Sequence, residues 1–412
     1  MKTVAIISEY NPFHLGHAYH LEKIREEFGE DTAIIAIMSG NYTQRGEIAI
    51  ADAYIRAEAA VEAGVQLVLK LPFPFSCSSA EYFANAGISI ASSLGVVDAI
   101  SFGSESGDLS LLARAAERMN TPEYQSAMKT LSQNSKNASL GHPRQALLAY
   151  ESLFGNEDAS LFEKPNNLLA LEYLRAIKKD KSDLIAHTVH RRGNGFLETE
   201  LTEGVLPSAN AIRKVWMDGT ANEFSETACS CLPSASRHVF QRAFLTQQMP
   251  ADINRLSNVI LAFLRNIFPN SEAYKADEDG GLYHRVLKKA MDATNMENLI
   301  QFSCTKKYTI ARIRRLVFYI LFGITSSELK EKPHYTQILA MDEVGCALLK
   351  KIKNQGQIEL LTKPADYDKL SNDARRQAEL DFRAEELYLF AKPVVEKGGL
   401  SYRRTPYLKR TK

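Results

Sequence analysis

Through the first two hundred residues, short apolar runs alternate with stretches whose apolar positions recur every three or four residues. The runs Val4–Ile7, Ala33–Met38, Val65–Leu71, Val97–Phe102 and Leu184–Val189 predict five strands. Helical periodicity fills the intervals at His17–Phe28, Asp52–Ala63, Ser79–Leu94 and Asn167–Lys178. Strands that alternate with helices predict an α/β fold with a five-stranded parallel sheet and right-handed crossovers. Asn120 to Pro165 reads as a helical insertion covering one edge, broken at Gly141-His142-Pro143 and Gly155-Asn156-Glu157. Past Trp216 the pattern changes. Val215–Leu232 is polar and Pro233 follows. Ile253–Ile267, Leu282–Asp292, Ile310–Leu321 and Asp381–Phe390 then read as amphipathic helices, while Ile338–Ile352 opens like a strand and turns helical. The expected organisation is an α/β unit over 1–217, with its insertion at about 120–165, and a mainly α-helical domain over 218–412.

Composition narrows this picture only slightly. A chain of 412 residues with 45% apolar content can build two or three cores. The formal charge of +1 leaves any nucleic-acid surface to local clustering. Five scattered cysteines without a CxxC pair imply a reduced, cytoplasmic protein with no structural metal. Leu316–Ile324, the longest apolar run, is about half of a membrane span, and no signal peptide is expected after Lys2. A soluble protein follows from these features.

Candidate chemistry gathers where the predicted strands end. The first strand runs into Asn11-Pro12 and then His14-Leu15-Gly16-His17 at the start of a helix. Such a turn collects free backbone N–H groups and a positive helix end around an anion, and two histidines add donors there. Three further segments fall at strand ends: Ser39-Gly40-Asn41, Phe102-Gly103-Ser104-Glu105 and His190-Arg191-Arg192-Gly193. In parallel sheets ligands collect outside those ends, so one large pocket is expected. Leu206-Pro207-Ser208-Ala209-Asn210-Ala211-Ile212-Arg213 adds a helix that Ser208 can cap, with Arg213 one turn in and able to reach a phosphate. Taken alone, that is a capped surface helix.

Together, HxGH and the Ser208–Arg213 segment resemble the two-part signature of the nucleotidylyltransferase superfamily, which implies a Rossmann-like domain that holds ATP phosphates. Longer strings resemble the bacterial tRNA(Met) cytidine acetate ligase family. They are Glu9-Tyr10-Asn11-Pro12-Phe13-His14-Leu15-Gly16-His17, Met38-Ser39-Gly40-Asn41-Tyr42-Thr43-Gln44-Arg45-Gly46-Glu47, Phe102-Gly103-Ser104-Glu105, Pro165-Asn166-Asn167 and Lys307–Arg315. The resemblance implies activation of acetate by ATP to acetyl-adenylate, with Mg2+ sharing the phosphate charge. Transfer to N4 of the wobble cytidine of elongator tRNA(Met) would follow. One departure stands out: the family usually has a lysine near position 53, where this chain has Ala53, so Arg56 or Arg45 would have to substitute.

On this reading Ile7-Ser8-Glu9-Tyr10-Asn11-Pro12-Phe13-His14-Leu15-Gly16-His17 and His20 cradle the nucleotide, with His14 and His17 on the triphosphate and Gly16 giving room. Arg45 brings the acetate carboxylate to the α-phosphorus, with Gln44 as a neighbouring donor. Gly103 packs against adenosine. One of Asn166 and Asn167 caps the following helix and the other reaches the nucleotide. Arg191 and Arg192 pair with phosphates, as does Arg213 behind its Ser208 cap. Lys306, Lys307, Arg312 and Arg315 form an RNA phosphate track on a helix whose Ile313, Leu316 and Val317 face the core. The basic, tyrosine-bearing tail Lys397–Lys412 is a second RNA candidate and is expected to be flexible. Two other functions fit the same residues: an adenylyltransferase for a small phosphate or carboxylate metabolite, and a non-catalytic tRNA-binding protein with a degenerate pocket, which Ala53 keeps open.

Overall fold

In a computed structural model, residues 1–133, 140–191, 208–218, 224–267 and 281–410 are described. Arg192 and the Leu206-Pro207 pair lie outside these residues. The strands are β1 (Thr3–Ser8), β2 (Ala33–Ser39), β3 (Leu67–Leu71), β4 (Ala99–Ser104), β5 (Ile185–His190), β6 (Tyr335–Met341), β7 (Glu359–Leu361) and β8 (Tyr407–Leu408). They form one sheet in the order β5-β4-β1-β2-β3-β6-β7, with β8 also on β6. β1 to β5 are parallel, whereas β6 runs antiparallel to β3.

The five expected parallel strands are present, and three more bring the sheet to eight strands among the described residues. The three additional strands come from the C-terminal half, whose Ile338 region returns to the edge of the N-terminal sheet. The physical reason is β3, whose outer edge would otherwise leave its main-chain groups unpaired. β7 pairs with Tyr335–Gln337 and β8 with Ala340–Met341, so the newcomer β6 is covered in turn. β8 also anchors the tail that the sequence reading treats as flexible, and Lys409 N–H donates to the Met341 carbonyl at 2.9 Å.

Helices of the first half are α1 (Leu15–Phe28), α2 (Ala53–Glu62), α3 (Ala80–Ser93), α4 (Leu109–Met119), α5 (Pro122–Gln133), α6 (His142–Phe154), α7 (Pro165–Asp180) and α8 (Ala209–Asp218). Most start where a short polar side chain can satisfy the first amides: Asp52 before α2, Ser79 before α3 and Asp108 before α4. Alternation along the strands sends their residues to opposite faces. Ala5, Ile7, Ile35, Ile37 and Leu69 pack with α3 and α7, and Val4, Ile6, Ile34, Ala36 and Val68 pack with α1 and α2. α5 and α6 form the expected cover against α4 and α7.

The second half supplies α9 (Glu226–Ser230), α10 (Ser234–Leu245), α11 (Ser257–Asn266), α12 (Gly281–Asp292), α13 (Met296–Ser303), α14 (Ile310–Phe322), α15 (Ser326–Lys330), α16 (Glu343–Gln355) and α17 (Asn372–Leu389). α11 to α14 share a core with Tyr42 and Phe73, which stand on the loops after β2 and β3. The helical bundle thus sits on the carboxyl end of the sheet. Because β1 sends the chain one way to β2 and β3 and β4 lies on its other side, the sheet's switch point is between β1 and β4. A ligand crevice is expected there.

Candidate active site

At the end of β1 the chain turns through Tyr10, whose φ of 44° is left-handed. Packing holds it there: Tyr10 is fully buried, with its ring 4.8 Å from both the Phe13 and the His17 rings. His14 is the N-cap of α1, and its Nδ1 accepts the Gly16 amide at 3.0 Å. His17 Nδ1 in turn accepts the His14 amide at 3.2 Å, and the two rings lie 3.9 Å apart. Burial lowers both imidazole pKa values, that of His14 to about 3, with Arg191 and Arg213 adding to the effect on His14. Neutral rings whose Nδ1 atoms accept must carry their protons on Nε2. The turn therefore presents two uncharged N–H donors.

The sequence reading expects free amides at the start of α1, and the structure corrects this. Leu15 N–H goes to the Cys231 carbonyl at 2.9 Å, Gly16 N–H to His14, and His17 and Ala18 N–H to the His14 carbonyl. An imidazole cap and a distant carbonyl have taken them. Gly16 also makes room for its own cap, since a Cβ there would lie 2.8 Å from His14 Cε1. Farther along α1, His20 Nε2 and Ser101 Oγ are 2.7 Å apart, and Ser101 Oγ is 2.9 Å from His187 Nδ1.

A second cluster assembles from three distant parts of the chain. Glu47, on the loop after β2, receives Arg213 at 3.0 Å on one carboxylate oxygen and Arg314 at 2.6 Å on the other. Arg213 also donates to the Asn11 carbonyl at 2.9 Å, and Ser208 caps its helix through the Ala211 amide at 3.0 Å. Arg315 donates to the Gln44 carbonyl at 3.0 Å, and Gln44 N–H donates to Glu9 at 2.9 Å. Gly46, at φ 70°, would place a Cβ 2.6 Å from the Arg315 amide nitrogen, so only glycine lets the loop lie against α14. Arg45 belongs to this cluster. Burial works against its charge, Glu9 and Glu47 favour it, and Arg213 and Arg315 oppose it. Burial also raises the Glu9 pKa, against the lowering effect of the Gln44 amide and Arg213.

Arg56 answers one question raised by Ala53. It is fully buried and donates to the carbonyls of Glu9, Ser39, Gly40 and Ala51. It clamps the ends of β1 and β2, so it has no donor group to spare comparable with Arg45. Ala53 itself is in the core, its amide on Asn41 Oδ1 at 2.8 Å.

The other wall comes from β4 and β5. The stem of Arg191 lies over Gly103, 3.1 Å from where a Cβ would be. The expectation that Asn166 or Asn167 caps α7 is corrected: Glu105 does so, accepting the Asn166 and Asn167 amides at 3.3 and 2.7 Å. Asn166 Nδ2 also donates to Glu105 at 2.7 Å, while Asn167 Oδ1 accepts the Ser106 amide. The basic run divides in two, with Lys306 and Lys307 ahead of α14 and Arg312, Arg314 and Arg315 on it, so it is not one helical track. Arg315 turns to the loop, whereas Lys306 is exposed and Lys307 and Arg312 stand 5.2 and 5.4 Å from the Tyr308 ring.

A family model described as HIGH Nucleotidyl Transferase matches residues 1–401. The tRNA(Met) cytidine acetate ligase of Thermoanaerobacter sp. (strain X514) is 34% identical over 407 residues, covering 98% of each chain. That of Caldanaerobacter subterraneus subsp. tengcongensis is 35% identical over 396 residues, or 95% of this chain and 96% of that one. The apo crystal structure of Thermotoga maritima TmcAL aligns over 100% of both chains with a TM-score of 0.91 at 28% identity. The form bound with alpha-thio ATP aligns with a TM-score of 0.89, also at 28% identity and full coverage.

Proposed function

Because this chain belongs to the HIGH nucleotidyl transferase family, alongside the tRNA(Met) cytidine acetate ligases, we propose that it joins acetate to elongator tRNA(Met) at the expense of ATP. In the first step an acetate oxygen attacks the α-phosphorus, an O–P bond forms, and pyrophosphate leaves. In the second, N4 of the wobble cytidine attacks the acetyl carbon, AMP leaves, and the amine loses a proton to give N4-acetylcytidine. A cytosine amine is a poor nucleophile, and a mixed anhydride is an acyl donor suited to it.

The observation that carries this reading is the gathering of the imidazole cradle, Arg45 and Arg213 at the carboxyl ends of β1 and β2. His14 and His17 would give Nε2–H donors to the triphosphate, and Arg213 would add charge as the anion arrives. Two anions repel, so a cation must hold acetate in line with the α-phosphorus, and Arg45 serves there. Gly103, Arg191 and the Asn166-Asn167 start of α7 would receive the nucleoside side. Mg2+, which shares charge on the phosphates, is commonly held by substrate oxygens and water with one or two carboxylates. Glu9, half-buried and with Arg45 and Arg213 nearby, would be the carboxylate to hold it. Lys306, Lys307 and Arg312 around Tyr308 would meet RNA phosphates, with 1–217 as the ATP-binding part and 218–412 as the main RNA-binding part.

The test is incubation of the protein with ATP, labelled acetate and total tRNA, followed by nucleoside analysis. Label in N4-acetylcytidine is expected. Label that remains in a small adenylylated product with every tRNA supplied would favour a metabolite adenylyltransferase instead.

A further inference from the structure

The tail that β8 anchors closes one side of a groove that the reaction described above does not use. Its volume is about 510 Å3, inside the roughly 300–1,000 Å3 range of ligand sites. Its lining comes from α2, from the end of α10 with Gln248, and from residues 403–407. Two aromatic rings face this space with their hydroxyls already committed. Gln337 donates to the Tyr54 hydroxyl at 3.0 Å, and the Tyr407 hydroxyl donates to Glu62 at 2.8 Å. Arg404 is committed as well, held by Asp52 at 2.9 Å and Glu396 at 3.2 Å with its guanidinium 5.2 Å from the Tyr54 ring. Arg403 is exposed, and Arg242 reaches out from α10 with 56% of its side chain exposed and Glu58 as its partner.

The two lining carboxylates, Asp52 and Glu58, are each paired with an arginine. Fixed rings, the guanidinium groups of Arg242 and Arg403 and a single aliphatic lining residue, Ile55, do not suit an apolar peptide or a lipid. They suit a flexible polyanion with flat bases, because stacking on tyrosine tolerates any base and arginine meets the backbone. The groove also adjoins the reaction loop. Asn41, four residues before Arg45, shares a smaller cavity with Asp52, Tyr54 and Arg404, which line both spaces or bridge them.

We propose that this groove holds single-stranded RNA flanking the reacting cytidine, with phosphates on Arg242 and Arg403 and a base against Tyr54 or Tyr407. The inference rests on the RNA-acetylating reading above and adds a second contact surface, apart from the α14 run. It gives the anticodon loop a second point of attachment.

The test compares the full-length R242E/R403E variant with the wild type in two assays. One is affinity for an elongator tRNA(Met) transcript across a salt series; the other is acetate-dependent ATP–pyrophosphate exchange without RNA. The expected result is a dissociation constant raised about tenfold or more, a log–log salt slope smaller by about two, and unchanged exchange. A K129E/R144E variant, which makes the same charge change on the helical cover, should bind like the wild type. Wild-type affinity in R242E/R403E, or an equal loss in the K129E/R144E control, would overturn the groove assignment. If the double variant loses exchange and so fails to fold, R403A alone must weaken tRNA by about threefold, and no change there overturns it. A wild-type protein that neither binds nor acetylates tRNA would instead sink the reaction itself.

Discussion

The imidazole cradle and the arginine cluster stand side by side and are built in opposite ways. The cradle comes from one stretch of fewer than twenty residues, carries no charge and is sealed by main-chain hydrogen bonds. The cluster joins Glu9, the 44–47 loop, Arg213 and α14, and four arginines surround two carboxylates. A neutral cradle can be buried without a counter-ion, so it forms locally. Charges cannot, and the arginines are held in place by Glu47 and by main-chain carbonyls until an anion arrives. On the reaction proposed above, the difference is a division of labour: the cradle would position a phosphate chain, and the cluster would supply the charge that reaction needs.

Breaking the cradle should have the largest effect. His17→Ala is expected to lower acetate-dependent pyrophosphate exchange by about a thousandfold, in the range seen when a preorganised donor is removed. His14→Asn, which retains an N-capping side chain, should lose about a hundredfold with little change in melting temperature. Both should still retain tRNA in a filter-binding assay; normal exchange in either would remove the phosphates from the imidazoles.

The frame beneath the cluster comes next. Arg56→Lys offers three donors to four carbonyls and leaves at least one without a partner, so a loss of about 1–3 kcal/mol in urea unfolding is expected. A smaller test separates charge from shape within the cluster itself. Glu47→Gln keeps the bulk but frees Arg213 and Arg314 from their shared anion. Exchange should change its KM for ATP by a few fold with kcat nearly constant, because the arginines are released for phosphate without any reacting group being lost. An effect on kcat alone would place Glu47 in the chemical step.

A further expected effect is one of pH. His14 and His20 are each lowered by burial from 6.5 to about 3, so between those values the unfolded chain binds protons that the folded chain refuses. Stability should be full above about 6.5 and decline as pH falls toward 3, read as the urea midpoint across a pH series. His20→Gln should flatten that decline, and an unaltered slope would mean that His20 titrates freely in the folded protein.

Legibility in the sequence follows the same line. Five strands, the α1 turn, the Ser208 cap and the core face of α14 were readable because each depends on neighbours within a few residues. The contact that decides β6 is β3, on the far side of the bundle in sequence, and a strand at a sheet edge has no local signature of its partner. Arg56 reads as a stand-in for the lysine missing at position 53, although its donors turn inward to main-chain carbonyls. Glu47 ends a motif string with no role readable from its neighbours, and its partners Arg213 and Arg314 lie more than 160 residues away. Glu105 was seen at a strand end, but its role as the cap of α7 depends on a helix sixty residues away. Local chemistry shows in the string; assembled charge does not.

The antiparallel return of β6 onto β3 has a consequence for how the protein is made. A ribosome that has delivered β1 to β3 must translate the chain from residue 72 through α15 before β6 emerges, on the order of ten to fifty seconds at typical elongation rates. During that interval the flank of β3 is an open template for any extended segment nearby. Nascent chains would then depend on a chaperone, or on the early bundle helices, to shield that flank until their own late strand arrives.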